Sequence, residues 1–349
     1  MQQIRFLLIG VGNIGRRFVE LLVHKQDTLR DRLGLELTLI GVADTSGIAV
    51  CPTGLDPQRI VRLKAEKRGV AVYERWGQPD ASALEMVHTT EADLLLEASP
   101  ANLQDGQPGL SCIEAALSRG MHVVTANRAP LVLAFPRLLA LAKARGAQLR
   151  FDATVAGGLP AVNLGQRDLA AAVIHRLEGV PNLTANFILT RMAQDGLSYD
   201  DALAHAQALG HAETDPSLDV EGWDTASKLV ILAHSVLDYP ATLADVAVEG
   251  ITGVTAKTLR QAAAEGKRVK LVAAAERDGE RYRLSVRPTW LDADHPLAQL
   301  GPTQMGIIYH TDIMGVISAA IIEDTPLPSA SAMLRDVIDI YHPGWKGTQ

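Results

Sequence analysis

Short apolar runs separated by polar, glycine-bearing breaks organise the first 150 residues. Ile4–Ile9 is one such run and ends in Gly10, and a stretch apolar at helical spacing follows from Ile14 to Val23. A second run rich in β-formers, Leu35–Val42, leads to Asp44. Further short runs recur at Leu94–Leu96, Val123–Val124 and Leu149–Phe151, with helical patterns over Cys112–Leu117 and Leu131–Ala144 between them. Strands alternating with helices predict an α/β fold with a doubly wound parallel sheet, and runs apolar on both faces suit strands that helices cover from both sides. The rhythm changes after Phe151, and Gly157-Gly158-Leu159-Pro160 is a turn-rich break. Beyond it, Ser198 with Asp201 three residues on reads as a helix start and Gly210 as its stop. Asp219 reads as the cap of a helix running to about Leu237. Val269–Ala274 and Tyr282–Val286 read as strands joined through the hairpin signal Asp278-Gly279. Gly306–Tyr309 and Val316–Ile322 make another pair, and Ala330–Ile340 closes the chain as an amphipathic helix. The expected organisation is one α/β domain over 1–150 and a second α+β substrate and dimerisation domain over 151–325. A helical segment over 326–349 is expected to pack back on the first domain.

Composition narrows the class. The 349 residues are 47% hydrophobic and 21% charged, enough apolar material for two domains with cores of their own. The net charge is −7 and the chain has no block of lysine or arginine, which argues against a nucleic-acid partner. Cys51 and Cys112 are the two cysteines, too few for a secreted disulfide framework. The apolar stretch Leu229–Val236 is too short to cross a bilayer. The sequence opens almost directly on an apolar strand, so no signal peptide is expected. A cytoplasmic protein is predicted, acting on a small molecule, without membrane or nucleic-acid partners.

Gly10-Val11-Gly12-Asn13-Ile14-Gly15, at the end of the first strand, spells G-x-G-x-x-G. Gly10 permits the tight turn out of the strand, Gly12 lets the backbone approach a pyrophosphate, and Gly15 lets the helix pack close to the sheet. The phosphates would sit at the helix start, where free N–H groups and the helix dipole favour negative charge. Generic strand–turn–helix units also carry glycines; the position of this one, after a strand and opening a helix, is what strengthens it. Asp44 closes the next strand, where a carboxylate can accept both ribose hydroxyls. It stands 29 residues beyond Gly15 rather than the usual ~20, so the intervening helix or loop is extended. The first domain is therefore expected to be a Rossmann domain binding NAD(P). NAD is favoured, because Asp44 would repel a 2′-phosphate and no arginine adjoins Thr45-Ser46-Gly47. Lys64, Lys67 and Arg68 lie further along and could fold over the same pocket.

Several other segments resemble homoserine dehydrogenases. His122-Val123-Val124-Thr125-Ala126-Asn127-Arg128 is similar to that family's "VVTANK" segment, and Ser99-Pro100-Ala101-Asn102 to the loop that approaches the nicotinamide. Phe151–Pro160 resembles the segment joining the family's two domains, and Gly179–Leu189 its "G-x-x-N-x-T-x-N-[YF]-I-L" run. The clearest match is Ala212–Lys228, close to "AExDPxxDVxGxDxxxK". The resemblance covers nearly the whole chain and fits the short form of the family, without an aspartate kinase or ACT domain. It implies interconversion of L-aspartate 4-semialdehyde and L-homoserine with NAD(P)H, in threonine and methionine biosynthesis, by a homodimer. It also implies catalytic roles for Lys228, Asp224 and Arg128, and substrate binding by Glu213, Asp219 and Asp224. The cofactor would be held by Gly10, Val11, Gly12, Asn13, Ile14, Gly15, Asp44, Ser99, Pro100, Asn127 and Arg128. Asp224 and Lys228 are four residues apart and share a helix face, so the ammonium can give a proton to the aldehyde oxygen as hydride arrives, although solvated pairs of this spacing are common. Glu213 can bind the substrate ammonium group. In several members the segment corresponding to 152–159 holds a monovalent cation, mostly through backbone carbonyls, which here would involve Asp152, where an acidic residue contributes, with Val155, Gly157 and Leu159; a plain glycine-rich turn accounts for the segment equally well.

Two positions depart from the family pattern. Arg128 replaces the lysine after "TAN"; a guanidinium can clamp a carboxylate but does not release a proton near neutral pH. Ile322-Glu323-Asp324-Thr325 stands where a glycine-rich stretch is common, while Pro328–Ala332 keeps the family's closing helix start. Two alternatives therefore stay open: a paralogous dehydrogenase of another hydroxy acid or hydroxy amino acid, and a catalytically silent dinucleotide-binding sensor. A sensor needs the glycine loop but no proton donor, so Glu213, Asp224 and Lys228 together argue against it.

Overall fold

A computed structural model describes residues 1–342. The chain divides into two compact units: Met1–Gly158 together with the C-terminal segment from Thr325, and Leu159–Asp324. The division falls after Gly158 rather than at residue 150, because the turn at 152–154 is held within the first unit by hydrogen bonds described below.

The first unit contains strands β1 (Gln2–Ile9), β2 (Leu35–Asp44), β3 (Gly47–Val50), β4 (Gly77–Gln78), β5 (Leu94–Glu97), β6 (His122–Thr125) and β7 (Leu149–Arg150). Between them run α1 (Asn13–Leu33), α2 (Pro57–Ala65), α3 (Ala83–Thr89), α4 (Gly109–Ser118) and α5 (Arg128–Ala144). The sheet order is β4-β3-β2-β1-β5-β6-β7. Pairings from β2 through β1, β5 and β6 to β7 are parallel. The edge is not: β3 turns back on β2, with Asp44 opposite Gly47, and β4 continues antiparallel. The four-residue run after Asp44 was too short to read as a strand; the two-residue turn Thr45-Ser46 is what folds it onto β2. The 29-residue gap to Asp44 is explained by α1, which at 21 residues extends beyond Val23 to Leu33. Helix α5 carries Pro136 and a kink at Ala134, as a proline inside a helix requires.

Helix α12 (Leu327–Tyr341) belongs to this unit. Its Ala330, Met333, Val337 and Ile340, spaced on one face, enter the same core cluster as Ile4, Phe6, Leu8 and Phe18. Burying a large apolar side chain of this kind contributes about 2 kcal/mol, so α12 is integral to the dinucleotide-binding unit; of the segment expected to pack back, 343–349 lie outside the described residues.

The second unit is α+β. It holds a short α6 (Ala161–Asn163), β8 (Ile174–Val180), α7 (Leu183–Asp195), α8 (Tyr199–Ala208), α9 (Ser217–Val220) and α10 (Trp223–Ser235). There follow β9 (Val246–Val248), α11 (Ala256–Ala264), β10 (Lys267–Asp278), β11 (Arg281–Asp292), β12 (Gln304–Thr311) and β13 (Val316–Ile322). The sheet runs β13-β12-β8-β10-β11-β9. The hairpin read at Asp278-Gly279 is present, with Asp278 paired to Arg281, and β12 pairs with β13. Ser198 caps α8 as expected, accepting the Asp201 N–H at 3.1 Å. Asp219 does not cap α10. Gly222, at φ +90°, is the N-cap residue, and Asp219 lies inside α9 with its carboxylate turned to another task. Among the described residues no helix is long and apolar enough to cross a membrane, and Cys51 and Cys112 are both buried and unpaired.

Candidate active site

In the first unit the glycine loop has the geometry its sequence implies. Gly10 is at φ +85°, and a Cβ there would lie 2.5 Å from the Ala98 carbonyl carbon. A Cβ on Gly15 would lie 1.9 Å from the Gly10 carbonyl oxygen, so α1 meets the strand through hydrogen atoms alone. Gly12 differs: a Cβ there meets nothing within 4 Å. Gly12 is also the N-cap residue of α1, and that helix start has no side-chain cap and no acidic residue in its first turn. Val11 is buried, Gly12 and Asn13 are exposed, and Ile14 packs on the core. Uncapped N–H groups beside open space are what a pyrophosphate requires, so the residues present fit a dinucleotide.

Asp44 ends β2 as expected, but its carboxylate is not idle. Oδ1 accepts from the Ser46 N–H at 2.8 Å and its hydroxyl at 2.5 Å. Oδ2 accepts from Lys64 Nζ at 2.8 Å and the Val70 N–H at 3.2 Å. Burial pushes this carboxyl up, yet Lys64 and Ser46 outweigh it and hold it below its ordinary range. The expectation that the bare carboxylate would take both ribose hydroxyls needs correcting, because four donors already fill most of its lone pairs. At the next loops, Ser99 is half-buried and Pro100 exposed. Asn127 is buried and caps α5 by accepting the Ala129 N–H at 3.0 Å, and Arg128 is the first residue of that helix.

The second unit brings together Asn182, Asp219, Asp224 and Lys228. Lys228 Nζ lies 2.8 Å from Asp224 Oδ2 and donates to the Pro181 carbonyl at 2.7 Å. A solvated surface pair of the same spacing would be open to water; these side chains are 15% and 5% exposed. Asn182 Nδ2 donates to Asp219 Oδ1 at 2.7 Å and to Asp224 Oδ2 at 2.6 Å, one proton for each acid. The amide cannot turn over, because Asn182 Oδ1 caps α7 by accepting the Ala185 N–H at 2.8 Å. Burial, and then the charge of Asp224, raise the Asp219 carboxyl above its ordinary value. Glu213 lies in an exposed loop, where its backbone carbonyl accepts from Gln207. Asn182 was visible only as a letter in a matched run; its role follows from the cap, which a sequence shows only once the helix start is known.

A family model described as "Homoserine dehydrogenase" matches residues 160–338, and one described as "Homoserine dehydrogenase, NAD binding domain" matches residues 10–152. The chain belongs to the homoserine dehydrogenase family. A homoserine dehydrogenase of Methanocaldococcus jannaschii is 34% identical over 96% of this chain and 98% of its own length. An NAD(+)-dependent homoserine dehydrogenase of Pseudomonas canavaninivorans is 34% identical over 98% and 97%. A hyperthermophilic archaeal homoserine dehydrogenase in complex with NADPH superposes with a TM-score of 0.84 at 26% identity, covering 97% of each chain.

Of the residues that the homoserine dehydrogenase resemblance implies for a monovalent cation, the one carboxylate, Asp152, is already taken by a guanidinium. Asp152 is buried, and its Oδ2 is bonded to the Arg335 guanidinium. Arg335 also donates to the Gly158 carbonyl at 3.2 Å, while the Asp152 N–H donates to Asp336 at 2.9 Å. A fixed positive charge from α12 thus already sits between a carboxylate and a carbonyl of the segment that was to ligate the ion. Among the described residues no group of three or more His, Cys, Asp or Glu side chains could hold a metal, a finding that bears on side-chain sites and not on backbone carbonyls.

Proposed function

We propose that this member of the homoserine dehydrogenase family interconverts L-homoserine and L-aspartate 4-semialdehyde. The observation that carries this is the buried Asn182–Asp219–Asp224–Lys228 cluster, in a chain whose glycine loop fits a dinucleotide. When bound, the nicotinamide supplies or accepts the hydride at the substrate's reacting carbon. Lys228 gives a proton to the carbonyl oxygen in reduction and takes it back in oxidation. Asp224 keeps that ammonium in place, and Asn182 holds Asp224 and Asp219 side by side. Asp219 and Glu213 bind the polar end of the substrate, Glu213 through its ammonium group. Arg128 keeps the charge of the family's lysine, but a guanidinium does not release a proton near neutral pH, so the proton falls to Lys228. NAD is favoured over NADP, because the Lys64 ammonium is already spent on Asp44.

Steady-state turnover of L-homoserine with each cofactor tests this reading, and a chain that binds the dinucleotide but turns over no homoserine would return the paralogue and sensor alternatives. The same assay checks the cation. With Arg335 in place, replacing sodium and potassium by tetramethylammonium at equal ionic strength leaves kcat unchanged; a rate that needs either metal ion would overturn this.

A homodimer is the proposed assembly, through the β13 edge. Val316 and Ile322 on that strand are 62% and 61% exposed, and Ile313 and Met314 in the turn before it are exposed too. An apolar edge strand left open invites pairing with another chain, and a two-fold axis lets the same strand serve both subunits. Light scattering at micromolar concentration gives the mass of two chains, and Val316→Lys returns it to one.

A further inference from the structure

Glu97, the last residue of β5, is fully buried, and the partners of its carboxyl are neutral. Oε1 accepts from the Ser99 N–H at 2.9 Å and from the Ser99 hydroxyl. Oε2 pairs with the Thr125 hydroxyl at 3.0 Å. Thr125 Oγ1 accepts the Asn127 N–H at 3.0 Å, and Asn127 Nδ2 reaches back to Ser99 Oγ at 3.3 Å. The result is a closed ring linking the segment after β5 to the segment after β6. Helix α4 covers it, since a Cβ on Gly109 would lie 2.7 Å from Asn127 Nδ2 and 3.2 Å from Glu97 Cδ. Burial raises the carboxyl against the opposing effect of these hydrogen bonds, and the nearby Cys112 thiol is itself pushed up to about 12, by burial and then by Glu97.

The ring's place in the fold gives it a role. The chain leaves β1 for β2 on one side and returns to β5 on the other, so the ligand crevice opens above the carboxyl ends of β1 and β5. The segment after Glu97 is pressed against the glycine loop at Gly10. Burying a carboxyl without a cationic partner is costly. Such groups are kept where their geometry is used. We propose that Glu97 is a positioning residue for the hydride step, holding the Ser99–Pro100 loop and the Asn127–Arg128 helix start in one fixed relation at the nicotinamide end of the crevice. The proposal rests on the dehydrogenase reading above.

Glu97→Gln keeps an acceptor for Ser99, and its amide can donate to Thr125, whose hydroxyl then turns to the Asn127 carbonyl at 3.3 Å. It therefore keeps kcat within about threefold. Glu97→Ala opens the ring and lowers kcat about tenfold, with NADH affinity nearly unchanged and a larger isotope effect from carbinol-deuterated homoserine, as a misplaced reacting group gives. Glu97→Ala with the wild-type kcat and isotope effect overturns the proposal. Should that variant fail to fold, Ser99→Ala breaks the same ring, and a wild-type rate and isotope effect there overturn it equally. Wild-type inactivity on homoserine would sink the dehydrogenase reading instead. The emission of bound NADH, which needs no substrate, still decides the positioning role: Glu97→Ala or Ser99→Ala shifts it and Glu97→Gln does not, and no shift in either ring-opening variant overturns the proposal.

Discussion

Lys228→Ala loses about three orders of magnitude in kcat, within the range removal of a general acid–base group produces, and keeps its affinity for NAD. The loss corresponds to about 4 kcal/mol of transition-state stabilisation. An ammonium has three protons, and Asp224 and the Pro181 carbonyl engage two of them, leaving one for a substrate oxygen. Lys228→Arg does not rescue the rate, because a guanidinium fills the charge but does not exchange its proton near neutrality. Arg128 cannot stand in for the same reason. Asp224→Asn weakens both substrate binding and rate, since it removes the charge that holds the ammonium while leaving Asn182 in place. Stopped-flow and steady-state rates on all three variants, with cofactor affinity measured separately, check this. A Lys228→Ala enzyme keeping more than a tenth of its turnover would move the proton to another group.

Asp44→Ala shifts the ratio of kcat/KM for NADP over NAD by about 100-fold toward NADP, roughly 3 kcal/mol. Two effects add in the same direction. The carboxylate that would repel a 2′-phosphate disappears, and Lys64, now 2.8 Å from Asp44 Oδ2, is released to bind that phosphate. Lys64→Ala acts oppositely: the NADP rate falls further, because an unpaired carboxylate faces the phosphate. Ser46→Ala, which removes a single donor to Asp44 Oδ1, changes the ratio little. Rates with both cofactors at fixed ionic strength check the set. A wild type that prefers NADP, with a ratio indifferent to Asp44, would place the discriminating contact elsewhere.

Much of this protein follows from local pattern. The G-x-G-x-x-G loop, the strand leading into it and the helix after it are consecutive residues, and their physics is backbone clearance and helix-end polarity, which neighbours along the chain determine. Asp224 and Lys228 share a helix face because a helical turn brings residues four apart together. The hairpin at Asp278-Gly279 and the cap at Ser198 are decided in the same way. The family signature from Ala212 to Lys228 carried the activity.

What local pattern could not decide are the partners of charged groups, because those lie far apart in sequence. Lys64 reaches Asp44 across 20 residues, Asn182 reaches Asp224 across 42, and Arg335 reaches Asp152 across 183. Each contact changes a reading made from the sequence: a free ribose acceptor becomes half of an ion pair, a surface pair becomes a buried cluster, and a cation ligand becomes the anchor of a guanidinium. The sequence by itself determined where the glycines, acids and lysine stand and which elements carry them. Only the tertiary structure decided which of those charges remain available, because desolvation and pairing depend on what packs around a group rather than on what precedes it.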